Sequence, residues 1–197
     1  MDQGQGSPVR AFFGRKLEPR RPVMLHGAGQ TTPGWLLPQK PDAARDVNED
    51  CFEDYVRAVG AAAAPLIYMA YCGVRTDYDV FLSKLRARLE RGPGYLIPQI
   101  GLSVAKPGQK LREVAEGAND EALRAFCRSM KLLARPAFVR IAFEFNGRWN
   151  GYPPEPYRRM WRRVVSIFRE EGLDQAATVW CYAADIRNLD DMMDWFP

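Results

Sequence analysis

The chain has a single histidine, His26, in 197 residues, and that scarcity removes whole classes of reaction. A HExxH zinc hydrolase needs two histidines on one helix face, and Ser-His-Asp acyl transfer needs a serine elbow such as GxSxG beside its histidine. Neither pattern occurs. No metal or other cofactor is therefore expected. Cysteine is sparse as well: Cys51, Cys72, Cys127 and Cys181 lie far apart, and none forms a CxxC pair. Most of them fall in apolar or helical stretches, where a thiol packs as a small hydrophobe, so buried free thiols are expected rather than disulfides. An uninterrupted apolar run of about 18 residues, the minimum for a membrane span, is also missing. The stretch "LHGAGQTTPG" carries glycines but neither GxGxxG nor the P-loop spacing, which argues against a nucleotide fold.

The start, "MDQGQGSPVRAFFGRKLEPRRP", lacks the apolar core of a signal peptide, and residues 1–21 read as a flexible arm ahead of a domain over 22–197. If this start is the natural one, a reducing, cytoplasmic setting is expected; an incomplete N-terminus would instead fit a secreted protein. The domain has material for a core, since 47% of the residues are hydrophobic. A net charge of +4 is mild and scattered, with one dense patch, "YRRMWRRVVSIFRE". There Tyr157, Trp161, Val164, Val165 and Phe168 recur at helical spacing, while Arg158, Arg159, Arg162, Arg163 and Arg169 take much of the remaining surface. That is a core-facing helix with a solvated arginine face, so neither a nucleic-acid nor a membrane partner is expected.

Short apolar runs alternate with amphipathic segments. The runs begin at Pro22, Pro65, Gly94, Ala137 and Ala176; the helical patterns cover about Glu49 to Val59, Tyr78 to Glu90, Glu121 to Leu133 and Pro156 to Glu170. Five strands alternating with helices predict an α/β fold of parallel strands. Polar and aromatic residues gather where the runs end: His26, Tyr71, Glu144, Asn146, Trp180 and Tyr182. Catalytic groups lie at that end in a (β/α)8 TIM barrel, the architecture favoured here, apparently truncated after its fifth βα unit.

In "AFVRIAFEF", strand alternation puts Arg140, Ala142 and Glu144 on one face and Val139, Ile141 and Phe143 on the other. Charges on the inner face of a parallel strand are costly unless they pair or line a wet cleft. Glu144 is accordingly read as a proton donor or base at the mouth, with Arg140 one layer below. Trp149 and Tyr152 offer flat faces for a pyranose ring, and Asn146 and Asn150 offer amides for hydroxyls. Trp180 and Tyr182 share a face of the fifth strand and bring two more aromatics. Trp195 is not placed by the sequence.

"VRIAFEFNGRWNGYPPEPYRRMWRRVVSIFREEG" followed by "ATVWCYAAD" resembles glycoside hydrolase family 26, the β-mannanase family. The resemblance implies a (β/α)8 fold and retaining hydrolysis of a β-linked polysaccharide such as mannan or a β-glucan. It gives Glu144 the acid/base role and makes Asn146, Trp149, Trp180 and Tyr182 sugar contacts; His26, Tyr71, Arg140 and Tyr152 complete the candidate substrate site. Two departures matter. Phe143 stands where family members commonly carry histidine, and no residue before Pro197 matches the strand-seven nucleophile. The 197-residue chain is therefore expected not to turn over a glycoside by that mechanism, and to self-associate through open barrel edges. The rival expectation is a carbohydrate-binding or remnant barrel protein without catalysis.

Overall fold

The computed structural model describes residues 26–28, 47–92, 96–184 and 191–197, with backbone alone for residues 47–51 and 54. The expected N-terminal arm and most of the run from Pro22 lie outside them. Five parallel strands stand in chain order: β1 (Gly27–Ala28), β2 (Ile67–Gly73), β3 (Ile97–Ser103), β4 (Ala137–Ile141) and β5 (Ala176–Val179). Between them run α1 (Val47–Val59), α2 (Tyr78–Arg91), α3 (Leu111–Ala115), α4 (Asp120–Leu133) and α5 (Pro154–Glu170). The α/β alternation is the one expected. The five-residue α3 is an addition that is too short to show a helical period.

Consecutive parallel order, joined by crossovers of one hand, leaves every helix on the same face of the sheet. The buried residues agree with this. Tyr68 and Cys72 of β2, Ile100 and Leu102 of β3, and Val139 and Ile141 of β4 join Phe52, Leu85, Phe126 and Met160 of the helices in one core. The alternate positions, Met69, Tyr71, Gln99, Gly101, Phe138 and Arg140, point to the opposite face, along rows fixed by register: Met69 beside Gln99 beside Phe138, and Tyr71 beside Gly101 beside Arg140. Among the described residues, no helix covers that second face.

Local signals explain where the helices start. The Asp77 carboxylate accepts from the backbone N–H groups of Asp79 and Val80, both at 3.1 Å, and so caps α2. Proline opens α5, where its missing N–H costs nothing. Helix α5 then buries Tyr157, Met160, Trp161, Val164, Ile167 and Phe168. At about 1.5–3 kcal/mol for each large apolar side chain, this face dominates its attachment. Surface ion pairs to α4 add less, on the order of 1 kcal/mol or below each: Arg124 bridges Glu170 (2.6 Å) and Glu171 (2.9 Å), and Arg163 pairs with Asp120. The arginine face of α5 is thus solvated in part and paired in part, Arg159 also reaching Glu155 at 3.6 Å.

Two runs end earlier than expected. β4 stops at Ile141 rather than Phe145 because Ala142 (φ 43°) and Glu144 (φ 52°) adopt the left-handed conformation, which no strand tolerates. β5 stops at Val179, before Trp180.

Cys72, Cys127 and Cys181 are free thiols, the first two buried. Burial pushes the Cys72 and Cys127 thiols from an ordinary value of 9.0 up to about 12, by desolvation of the thiolate. Because the folded state holds the proton more tightly, their stabilising contribution is intact below the unfolded value of 9.0 and declines as pH rises toward about 12. Alkylation of the native chain near pH 8, followed by peptide mapping, should label Cys181 first and leave Cys72 and Cys127 protected until denaturant is added. Equal labelling of all three would contradict this packing.

Candidate active site

The site grows out of the turn that ends β4. The two left-handed departures by non-glycine residues, at Ala142 and Glu144, cost about 1–2 kcal/mol each, so neighbouring groups must hold them. Ala142 N–H donates to the Leu102 carbonyl at 2.9 Å, and Glu144 N–H donates to the Cys181 carbonyl at 2.7 Å. The Asn150 amide returns over the turn, its Nδ2 donating to the carbonyls of Phe143 (2.9 Å) and Glu144 (3.1 Å). Glu144 therefore lies on a rigid loop between the ends of β4 and β5, not on the strand face. It is half-buried, and among the described residues its carboxylate has no hydrogen bond or ion pair. That leaves a positioned acid whose carboxylate is not engaged by another side chain among the described residues.

The turn also corrects the assignment of faces. Phe143, expected beside Val139 and Ile141, instead meets Tyr71 edge-on at 5.2 Å on the helix-free face. Arg140 completes that cluster. It is 9% exposed, its guanidinium lies 4.9 Å from the Phe143 ring and 5.7 Å from the Tyr71 ring, and its Nη1 donates to the Met69 sulfur at 3.1 Å. Cation–π contact replaces the ion pair with Glu144 that a same-face strand would allow. Among the described residues, its buried Nε has no hydrogen-bond partner. Tyr71 can lie across β3 only because position 101 is glycine: a Cβ there would sit 2.5 Å from the Tyr71 ring and 3.0 Å from Phe143.

A second group forms farther along the loop. Trp149 is 70% exposed and its indole rests on Gly147, where an added Cβ would meet ring carbons at 2.4 Å. Together with Asn150 and half-buried Tyr152, it borders a cleft of about 910 Å³ whose other walls are the loops after β2 and β3. Burial also raises the pKa of the Tyr152 phenol above its ordinary value.

The third group is aromatic. Trp180 and Tyr182 stack at 5.8 Å, as their two-residue spacing suggests even beyond the strand's end. Phe145 packs on Tyr157 (4.1 Å), Trp180 (5.3 Å) and Tyr182 (5.6 Å), closing the loop onto α5. Trp195, which the sequence left unplaced, donates its Nε1–H to the Tyr152 carbonyl at 2.8 Å and so ties the C-terminal turn to the cleft.

Two expected site residues have different surroundings. Asn146, read as a sugar ligand, uses both ends of its amide on Ala183: Nδ2 donates to the carbonyl at 3.0 Å, and Oδ1 accepts the N–H at 2.8 Å. It clamps the two strand ends instead of standing free. His26 is not at the mouth at all. Its carbonyl accepts from Leu66 and Ile67, at the start of β2, and its Nε2 lies 2.9 Å from the Tyr55 hydroxyl. From Ile67 to Gly73, at about 3.3 Å per residue, the strand runs roughly 20 Å to the end where Glu144 lies. The run from Pro22 had been read as a strand ending at His26, whereas the paired strand begins after it.

No metal-ligating group of three or more His, Cys, Asp or Glu side chains occurs among the described residues, and no helix among them is long and apolar enough to cross a membrane.

No protein-family model matches the chain. It is similar to a β-1,3-xylanase of a Vibrio species, 26% identical over 161 residues, which covers 74% of this chain and 35% of that protein. A β-1,3-xylanase of an Alcaligenes species is 28% identical over 105 residues, 48% of this chain and 22% of that one. The chain thus spans about a third or less of the length of these relatives. Among solved structures, a Bacillus subtilis mannanase aligns with TM-score 0.56 and 18% identity over 78% of this chain and 57% of its own. The GH26-CBM35 β-(1,4)-mannanase of Podospora anserina aligns with TM-score 0.52 and 15% identity over 74% of this chain and 39% of its own. The fold is therefore shared with glycoside hydrolases, and the named sequence relatives are glycoside hydrolases as well.

Asn146→Ala should destabilise the chain by about 1–3 kcal/mol, because it leaves the Ala183 groups unpaired in a partly buried setting. Trp149→Ala, at an exposed position, should change stability by no more than about 0.5 kcal/mol. Urea unfolding of the two variants against the parent measures both.

Proposed function

We propose that the chain forms part of the (β/α)8 catalytic domain of a retaining glycoside hydrolase acting on a β-linked polysaccharide, with Glu144 as acid/base. The observation that carries this reading is the placement of Glu144: a carboxylate without a partner among the described residues, fixed at the C-terminal end of a parallel strand, on a loop that also presents an exposed tryptophan to a cleft. Residues 22–197 would make up the domain segment, preceded by the arm over 1–21. The helix-free face of the sheet, with Tyr71 and Arg140, would face the barrel interior.

In this reading Trp149 and Tyr152 hold the apolar faces of pyranose rings, while Trp180 and Tyr182 border the neighbouring stretch of the mouth. Tyr71 and Arg140 form the floor, and Asn146 acts by holding Ala183. Glu144 gives its proton to the glycosidic oxygen as the bond from the anomeric carbon breaks, and the resulting carboxylate later takes a proton from the water that completes hydrolysis. The nucleophile, which must lie about 5–5.5 Å from Glu144, has no assigned residue in this chain. Xylan joined by β-1,3 bonds, mannan and β-glucan are the substrates to try, the first on the strength of the sequence relatives. Binding without turnover is the second reading, and self-association is proposed with either.

The test is affinity of the 197-residue chain for oligosaccharides from these three polysaccharides, with product analysis in the same samples. Binding to at least one is expected, with Trp149→Ala weakening it roughly tenfold and Glu144→Gln changing it little. No binding to any of them, or binding indifferent to Trp149, would sink the proposal. Hydrolysis abolished by Glu144→Gln would establish catalysis; binding without product would favour the second reading.

A further inference from the structure

The cleft beside Trp149 is cationic, a feature the hydrolase reading does not use. Arg75 projects from the loop after β2, and Lys106 and Lys110 from the loop after β3, all at the C-terminal end of the sheet. Arg112 lies there too but is neutralised by Glu116 at 2.9 Å. Among the described residues, no carboxylate lines this cleft, and Arg75, Lys106 and Lys110 have no ion-pair partner.

The loops that carry these charges are built rather than loose. Buried Asn119 donates from Nδ2 to the Val104 carbonyl (2.8 Å) and to Gln109 Oε1 (2.7 Å); Gln109 Oε1 in turn accepts the Lys106 N–H at 3.0 Å, and Gln109 N–H donates to the Lys106 carbonyl at 2.9 Å. Across the cleft, Gly73 N–H donates to Thr76 Oγ1 at 2.8 Å, Val74 N–H donates to the Ser103 carbonyl at 3.1 Å, and the Tyr78 hydroxyl donates to the Gly73 carbonyl at 3.0 Å. Like charges held together on tied loops repel one another unless an anion comes between them. The same cleft is lined by the exposed indole of Trp149, an apolar platform of the kind a sugar ring covers.

We propose that the cleft is a subsite for an anionic glycan, one whose sugar rings carry uronate carboxylates or sulfate esters, with Arg75, Lys106 and Lys110 engaging the charges while Trp149 stacks on a ring. The proposal rests on the glycan reading and narrows its substrate class. Neutral polymers would still enter, but the charged ones would be preferred. The preference would weaken with salt, because exposed pairs are screened.

The 197-residue chain would be titrated with a neutral xylo-oligosaccharide, its sulfated derivative, a glucuronate-substituted xylo-oligosaccharide and inorganic polyphosphate, at about 20 and about 300 mM NaCl. At low salt, at least one anionic sugar should bind about tenfold more tightly than the neutral one, and whichever leads identifies the charged group. High salt should shrink that ratio. The combined Arg75→Gln, Lys106→Gln, Lys110→Gln variant, checked by circular dichroism for an unchanged fold, should bring it to about one; Trp149→Ala should weaken all sugars in proportion. Equal affinity for neutral and anionic sugars, a ratio untouched by the triple variant, or polyphosphate binding as tightly as the anionic sugars would overturn the subsite. If neutral sugars bind while the ratio is one, only the subsite fails; if polyphosphate binds and no sugar does, the glycan reading fails with it.

Discussion

The left-handed turn at the end of β4 is the constraint on which the rest of the site depends. By breaking strand alternation at Ala142 and again at Glu144, it sends Phe143 to the helix-free face and Phe145 into the core, and leaves Glu144 between two strand ends. A continued strand would have put the carboxylate over Arg140 and formed a buried ion pair. The turn separates them, so that Arg140 is held by rings and sulfur while the Glu144 carboxylate has no partner among the described residues. The stabilising contacts come from the Asn150 amide in the following loop and from the Cys181 carbonyl beyond β5, and both act on the Glu144 main chain rather than on its carboxylate.

The one-sided sheet supplies the second constraint. Because the strands follow one another in space as in sequence, the helices cover one face, burying Tyr68, Cys72, Ile100, Leu102, Val139 and Ile141, and the other carries rings, an arginine and a glutamine. Such a face is stable only when lined by something, and closing the sheet into a barrel is the known way to turn it into an interior. The same topology explains why the loops after β2, β3 and β4 meet at one end: every parallel strand delivers its C-terminal loop there. Aromatic, basic and acidic residues far apart in sequence thus share one rim without any long-range design in the chain.

Much of this could be read from the sequence, and the reasons for the rest are specific. Helical periods over residues 78–90, 121–133 and 156–170 were correct within a residue or two, because amphipathic spacing there is regular and capping residues agree with it. The runs from Pro65, Gly94, Ala137 and Ala176 each hold a parallel strand, because short apolar stretches bounded by turn residues suit buried strands. Sequence reading failed where backbone conformation departs from what side chains suggest: nothing in "AFEFNG" announces left-handed alanine and glutamate. His26 was misplaced because an apolar run fixes neither the start nor the pairing of a strand. Asn146 was recognised as polar and near the mouth, but only coordinates reveal that both ends of its amide are taken. The basic rim went unnoticed, since Arg75 and Lys106 are thirty-one positions apart and are joined only by the adjacency of β2 and β3.

The seat of Trp149 gives this loop an unusual tolerance profile. Its indole is open to water and could be exchanged for many side chains with little effect on folding, whereas Gly147, which contributes no atoms to any surface a ligand would touch, admits none without lifting the ring from its bed. Two positions apart, the chain therefore pairs a residue free to vary with one that is geometrically locked. Substitution could rewrite the first freely, but the height and tilt of whatever replaces it would still be set by the empty space beneath.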